Sequence, residues 1–294
     1  MPPSPVAMEP EQVVKIMLGK IGDIATLPEV TAQIIAAVDD PKSTAHDLHN
    51  IIKNDPALAT KILKVVNSAF YGLPGQVSDL DRAIVLLGLS AVKNIAISAS
   101  ISRLFTAEKI SDQFSARDIW RHSVGVAVAT RQFCTMIGRK SSAEEAFLAG
   151  LIHDLGILIE RQANPEQLAE IIGTAGKREQ AFHVIETEIL GVDHQILGAA
   201  LAAKWKFPRG LQTVMGYHHR IDVLSAENRL LPVIVHIADT LCCHDSVGFY
   251  LTAADQKIDE GLLQSVGLSE ADFMTVRESL MEQVEQAETI LMGG

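Results

Sequence analysis

The stretch Phe147-Leu-Ala-Gly-Leu-Ile-His-Asp-Leu-Gly-Ile-Leu-Ile159 sets a histidine and a carboxylate, His153 and Asp154, inside an otherwise apolar run. An ionised aspartate taken out of water without a partner is costly enough that it is normally paired, hydrogen-bonded or bound to a metal. Any fold open to this chain must therefore bring such a partner to Asp154, and the remaining sequence has to supply it.

Apolar residues recur at steps of three and four almost throughout, and alternating Val/Ile/Thr runs are nearly absent, so the fold class is all-α. In the first half the pattern predicts helices near 10–20, 28–38, 43–54, 56–70, 79–87 and 90–105. Longer ones follow near 116–137, 143–162, 180–190, 194–205, 209–219, 227–244 and 270–291. Ser115-x-x-Asp118, Ser142-x-x-Glu145 and Ser269-x-x-Asp272 match the capping box. Prolines 28, 41, 56, 74, 165 and 208 mostly fall near predicted helix starts, where a missing N–H costs nothing, while Pro232 sits among apolar residues. The polar segment 106–114 marks a boundary between lobes. The expected organisation is an N-terminal tail (1–14), a helical lobe (15–110), a metal-binding helical lobe (111–250) and a C-terminal helical extension (251–294). In the extension, Leu280, Val284, Ala287 and Leu291 form a stripe that suits packing or docking.

With 294 residues, 48% of them hydrophobic, the chain can bury a large core. No apolar run approaches the roughly 20 residues of a membrane helix, and the start resembles no signal peptide, so a cytoplasmic protein without a membrane partner is expected. The formal charge of −11 disfavours nucleic acid as a partner, since phosphate contacts call for a basic face. Cys134, Cys242 and Cys243 form neither a disulfide framework nor a CxxC knuckle and are read as small buried hydrophobes.

Candidate partners for His153 and Asp154 are His122, His194, the pair His218-His219, and Asp239, each in or beside an apolar helix. Imidazole with carboxylate suits Fe, Mn or Zn, and five histidines with two aspartates exceed what one four-coordinate ion uses, so two ions could share Asp154. His46, His49, His183, His236 and His244 are read as ordinary core or surface groups.

The order His122…His153-Asp154…Asp239 resembles that of the HD superfamily of metal-dependent phosphohydrolases, and His194 with His218-His219 resembles the further ligands of its HD-GYP phosphodiesterase branch. Leu27-Pro28, Asn54-Asp55-Pro56-Ala57-Leu58, Val66-Asn67-Ser68-Ala69 and Leu87-Gly88 closely resemble the HDOD domain, an HD-related output domain of bacterial signalling proteins. The resemblance spans about residues 15–250. It implies an HD-like helical bundle, with His122, His153, Asp154 and Asp239 around one ion and Asp154, His194, His218 and His219 around a second. Asp118, one turn before His122, is a possible additional ligand, although it is also the acid of the Ser115 capping box.

Two departures bear on catalysis. Where HD-GYP enzymes carry a glycine and a phosphate-contacting lysine after the doublet, this chain has Leu155-Gly156-Ile157, and His219 is followed by Arg220-Ile221-Asp222 rather than Gly-Tyr-Pro. Arg220 is a candidate phosphate contact or a solvated helix-end residue. The expected function is a regulatory output protein with a mono- or dinuclear divalent-metal site, acting through a signalling protein or a small phosphate-containing ligand. The alternative is an active phosphohydrolase or phosphodiesterase in which Asp154 is catalytic. A scaffold without metal, with Asp154 paired to His122 or an arginine, is a third reading. Oligomeric state is open.

Overall fold

Helical periodicity carries through to the structure, a computed structural model that describes residues 8–22, 29–39, 42–68, 73, 75–105, 110–111, 113–178 and 180–292. Among these residues there are helices and short 3₁₀ turns but no β-strand. Leu27-Pro28, Pro41, Ala69, Tyr71-Gly72, Pro74 and most of the 106–114 boundary lie outside the described residues.

The first half consists of α1 (Pro10–Lys20), α2 (Glu29–Asp39), α3 (Ala45–Ile52), α4 (Pro56–Val66), α5 (Leu80–Leu87) and α6 (Leu89–Ile101). Start signals are local and polar: Thr44 and Asp47 close a capping box on α3, Asp55 accepts from Leu58 N at 2.9 Å on α4, and Asp79 accepts from Arg82 N at 2.8 Å on α5. Asn67 ends α4 by taking Val77 N and giving to Val77 O, at 2.7 and 2.8 Å, which ties down the chain returning to α5. Helix α6 is buried almost all round, from Val92 to Ile101, because α2, α4 and α5 of the first half pack on it while α8 (Ala143–Ile152) of the second half meets it as well.

The second half is organised around α7 (Ala116–Met136), whose faces are taken by α8, α14 (Ala226–His244) and α16 (Glu270–Met292). Small residues along α7, among them Gly125, Ala127 and Ala129, let those helices approach closely. Helices α9 (Leu155–Ala163), α10 (Pro165–Ala175), α11 (Phe182–Leu190), α12 (His194–Lys204) and α13 (Arg209–Tyr217) complete the body, with α15 (Glu260–Ser265) before α16. Helix α1 packs on α9 and α12, so the start of the described chain braces the second lobe.

Three expectations change. The helix predicted over 143–162 is two, broken at His153-Asp154: the His153 ring takes the Gly150 carbonyl at 2.7 Å, the acceptor a continuing helix would offer to Asp154 N. Helix α10 occupies 165–175, which the pattern left without an element; Pro165 opens it and Leu168, Ile171 and Ile172 are its buried stripe. Ser142 does not cap α8 through its side chain; a 3₁₀ turn at Lys140–Ser142 leads in instead. The C-terminal stripe is a packing face, since Leu280, Val284, Ala287 and Leu291 are all buried against the body. Nearby, Glu288 receives Arg121 at 2.7 Å.

Candidate metal centre

Seven side chains from five places in the helical body converge on one buried point. His122 comes from the first half of α7, His153 and Asp154 from the α8–α9 break, His194 from the first residue of α12, His218 and His219 from the end of α13, and Asp239 from mid-α14. All seven side chains have 0% exposure. The α9–α12 contact that delivers His194 depends on Gly156: a Cβ there would lie 1.9 Å from the His194 carbonyl oxygen.

Asp154 stands between two sets of imidazoles. Its Oδ2 lies 3.3 Å from His153 Nε2 and 3.8 Å from His122 Nε2, while its Oδ1 lies 3.3 Å from His218 Nε2 and 3.5 Å from His194 Nε2. Asp239 Oδ1 is 3.0 Å from His122 Nε2 and 3.9 Å from His153 Nε2, and its Oδ2 is 3.7 Å from His219 Nδ1.

The outer nitrogens are held by the surrounding structure. Nδ1 of His153 donates to Gly150 O at 2.7 Å, that of His218 to Val214 O at 3.0 Å, and that of His122 to Val247 O at 3.3 Å. His194 Nδ1 meets Glu186 Oε2 at 2.7 Å, and the same oxygen takes His194 N at 3.2 Å. Each of these contacts turns an Nε2 inward, the arrangement that supports imidazole ligands in metal sites. His219 Nδ1 contacts the Gln256 amide at 2.6 Å, and its ring stacks on His183 with centroids 5.8 Å apart.

Inward-facing atoms are left unsatisfied. His122 Nε2, His153 Nε2, His219 Nε2, both oxygens of Asp154 and Oδ2 of Asp239 are buried without an aligned hydrogen bond. The short His122–Asp239 approach is one of proximity without hydrogen-bond alignment, as expected of groups aimed at a common centre. An orphaned buried polar atom costs about 1–3 kcal/mol, so such a convergent set calls for a cation. The donors form overlapping groups whose ligand atoms lie within 4.8 Å of one another: Asp154, His194, His218 and His219; His122, His153 and Asp154; His153, His218 and Asp239; and His122, Asp239 and Cys243. The donor set fits divalent first-row metals.

Electrostatics without a cation agrees. Burial alone would raise Asp154, but His153, helped by His218 and His194, holds its carboxyl well below the usual range. Burial pulls His153 down and Asp154 outweighs it, raising the ring; at His194 Glu186 outweighs burial and pushes the pKa up to about 9. His218 and His219 move the other way, lowered by burial and by neighbouring histidines, His219 strongly. Protons on His153 and His194 thus balance charge that a divalent ion would otherwise balance. Behind His194, burial and then Glu186 push the Glu160 carboxyl well up.

The segment 245–259 straps the site shut. It supplies Val247 O to His122, Thr252 Oγ1 to Asp239 Oδ1 at 3.4 Å, and Gln256 to His219. At Gly248, φ is +67° and a Cβ would stand 2.3 Å from Asp118 O, so the strap lies directly on the α7 backbone. Phe249 anchors it against Phe114 and Phe182, with centroids 4.9 and 5.6 Å away. The larger surface clefts, of about 540, 550 and 530 Å³, are lined by other residues.

Asp118 stays out of the cluster. Its Oδ2 takes Ser115 N and Oγ, both at 2.7 Å, closing the helix cap. Arg220 is drawn to Asp193, the N-cap of α12, at 3.1 Å, rather than standing ready for phosphate. Sequence reasoning missed Glu186, Gln256 and Thr252, and read Cys243 only as core. Cys243 Sγ lies 3.5 Å from Asp239 Oδ1, a relation legible only in the i, i+4 spacing on α14.

The HDOD domain family matches this chain over residues 24–221. An HDOD domain protein of unknown function from Geobacter sulfurreducens overlays with a TM-score of 0.76 at 20% identity, covering 95% of this chain and 97% of the other. A candidate signal transduction protein from Marinobacter aquaeolei VT8 gives 0.74 at 19% identity, covering 96% of this chain and 64% of that one. A candidate phosphohydrolase from Shewanella amazonensis SB2B gives 0.70 at 22%, covering 94% and 98%. At these identities the likeness is one of fold. An uncharacterized protein of Treponema pallidum (strain Nichols) is 27% identical over 219 residues, which are 74% of this chain but only 42% of that relative's length. No helix among the described residues is long and apolar enough to cross a membrane.

Proposed function

The chain belongs to the HDOD domain family, and we propose that it is a signal-transduction regulator whose helical body is fastened by a buried divalent-metal centre. The observation that carries this reading is closure: all seven donor side chains have 0% exposure, and the strap 245–259 lies over them. A phosphoester must reach an activated water and leave again, and among the described residues the clefts of about 540, 550 and 530 Å³ are lined by other side chains. His122, His153, Asp154 and Asp239 would hold one ion, and Asp154, His194, His218 and His219 a second, with Fe, Mn or Zn suited to the donors. The opposite facing of the two Asp154 oxygens supports the paired arrangement. When bound, a divalent cation supplies positive charge that compensates Asp154 and Asp239 and can activate water. The protein's own groups hold the rings: Gly150 O, Val214 O, Val247 O and Glu186 each fix a nitrogen away from the centre. Signal passes through a partner protein or a small phosphate-containing ligand bound outside the sealed core.

The second reading is a metal-dependent phosphohydrolase, favoured by the completeness of the donor set and by the likeness to the Shewanella candidate phosphohydrolase. It requires the strap to open and Asp154 to act at the reacting centre.

Elemental analysis of protein purified without chelator, with the His153→Ala/Asp154→Ala variant alongside, decides first. Wild type is expected to carry about one or two divalent ions that the variant lacks. It is expected to turn over no phosphomonoester, nucleotide or cyclic dinucleotide. Robust turnover lost in the variant would put the hydrolase in the regulator's place. Wild type that stays metal-free even after reconstitution would end both readings.

A further inference from the structure

Resting on the metal-centre reading, we propose that Cys243 is a thiolate ligand of the ion held by His122 and Asp239, and that the centre is consequently of the soft, sulfur-containing kind, selective for Zn(II) or Fe(II) over Mg(II) and Mn(II).

Asp239 and Cys243 lie one turn apart on α14, so both side chains leave the same face of the helix. Cys243 Sγ is 3.5 Å from Asp239 Oδ1, and His122 Nε2 is 3.0 Å from that same oxygen. The three donor atoms all lie within 4.8 Å of one another, and each residue is buried. Cys243 would join His122, His153, Asp154 and Asp239 as a fifth donor; with metal–sulfur near 2.3 Å and metal–nitrogen or –oxygen near 2.0 Å, neighbouring ligand atoms of a five-donor shell stand about 2.8–3.7 Å apart, and the Sγ–Oδ1 and Nε2–Oδ1 separations of 3.5 and 3.0 Å fall in that range. The neighbouring Cys242 belongs elsewhere: its Sγ packs toward Gly125 of α7, where an added Cβ would come within 3.1 Å of it. The doublet thus separates into one core thiol and one facing the centre.

A plain buried thiol is the competing account, and the orphaned atoms beside it point to a cation within its reach. Sγ meets Asp239 Oδ1 and Thr252 Oγ1, at 3.5 and 3.4 Å, and neither contact serves Asp239 Oδ2 or His122 Nε2, which stay without partners in the interior. A cation shared by the three answers all of them. On loading, the Cys243 S–H proton passes to solvent and the sulfur pair is donated to the ion, so charge balances as one proton leaves per sulfur ligand. Thr252 Oγ1 lies 3.4 Å from both Sγ and Asp239 Oδ1, so on loading its one proton can turn from the carboxylate to the thiolate, which would couple the strap to the loaded state.

Cobalt(II) tests this without reference to activity. Metal-stripped wild type titrated with Co(II) is expected to develop a near-ultraviolet sulfur-to-cobalt charge-transfer band together with visible ligand-field bands. Cys243→Ser should still take up cobalt and keep visible bands but lose the charge-transfer band and release fewer protons on loading. Cys242→Ser and Cys134→Ser should keep the band, which assigns the sulfur even if the Cys243 variant folds poorly. Cobalt bound by wild type without the band, or a band surviving in Cys243→Ser, overturns the ligand assignment while leaving the metal centre intact. Wild type that binds neither Co(II) nor Zn(II) overturns the metal reading and this one with it.

Discussion

Among the individual residues, Glu186 shows most directly how the surroundings set the chemistry of a donor. It grips His194 twice, at Nδ1 and at the backbone N–H, and so fixes both the ring and the start of α12. Removing such a partner typically weakens metal binding by about 10–100-fold. Glu186→Ala is accordingly expected to lower metal affinity in a chelator competition by that factor while the helical circular dichroism stays native; unchanged affinity would mean that His194 does not take part. The donors themselves were legible because each interrupts an apolar helix: His122, His153-Asp154, His194, His218-His219 and Asp239 all stand where a charge needs a reason. Glu186 was not, because a glutamate in a helix reads as solvent-facing until α11 is seen to be covered. Gln256 and Thr252 were illegible for another cause, as they sit in a segment without periodicity whose course depends on tertiary packing.

At the scale of helices, the break at His153-Asp154 determines what the site can be. A continuous helix over 143–162 would spread its side chains around one axis; stopping at Ile152 and restarting at Leu155 lets His153 and Asp154 both face the cluster. The apolar pattern runs unbroken across the junction, which is why sequence alone joined the two helices. Helix α10 was missed although Pro165 stands at its first position, where proline begins a helix rather than ends one. Gly156, just past the break, sets how near α9 comes to α12. Gly156→Ala forces a Cβ to within 1.9 Å of the His194 carbonyl, and backbone has to move. Overpacking of this kind costs typically 1–3 kcal/mol or more, here with His194 displaced as well. The expected result is a lower midpoint in urea unfolding together with loss of bound metal. Gly173→Ala is the control, since open space surrounds that position in α10, and it should be neutral or stabilising by about 0.5–1 kcal/mol. Equal effects of the two changes would refute the contact argument.

For the whole molecule, the centre joins α7, the α8–α9 junction, α12, α13 and α14, so metal binding and folding should be linked. A ligand that binds only the native state at a thousandfold excess over its dissociation constant adds about 4 kcal/mol, and chelation should withdraw it. What remains has a pH dependence whose sign follows from the histidines. His218 and His219 have folded pKa values lowered from 6.5, so the unfolded chain binds more protons as pH falls below that value, and stability is lost toward acid. His153 and His194 are raised; the stability they contribute is full below 6.5 and disappears as pH climbs through the folded value, about 9 for His194. In the metal-free protein the two pairs therefore oppose each other. His194 loses its contribution across roughly 6.5–9 and His153 above 6.5, while below 6.5 the burden of protonating His218 and His219 takes over, leaving the optimum near 6.5. Loaded protein should lack the alkaline decline, because metal replaces the protons on His153 and His194, and it should lose metal steeply on the acid side as protons compete for the nitrogens. Thermal melts of loaded and chelated protein from pH 5 to 10 read both limbs. Identical curves would show that the buried histidines and aspartates serve the fold without an ion, and the fully sealed cluster would then be a proton-sharing network instead.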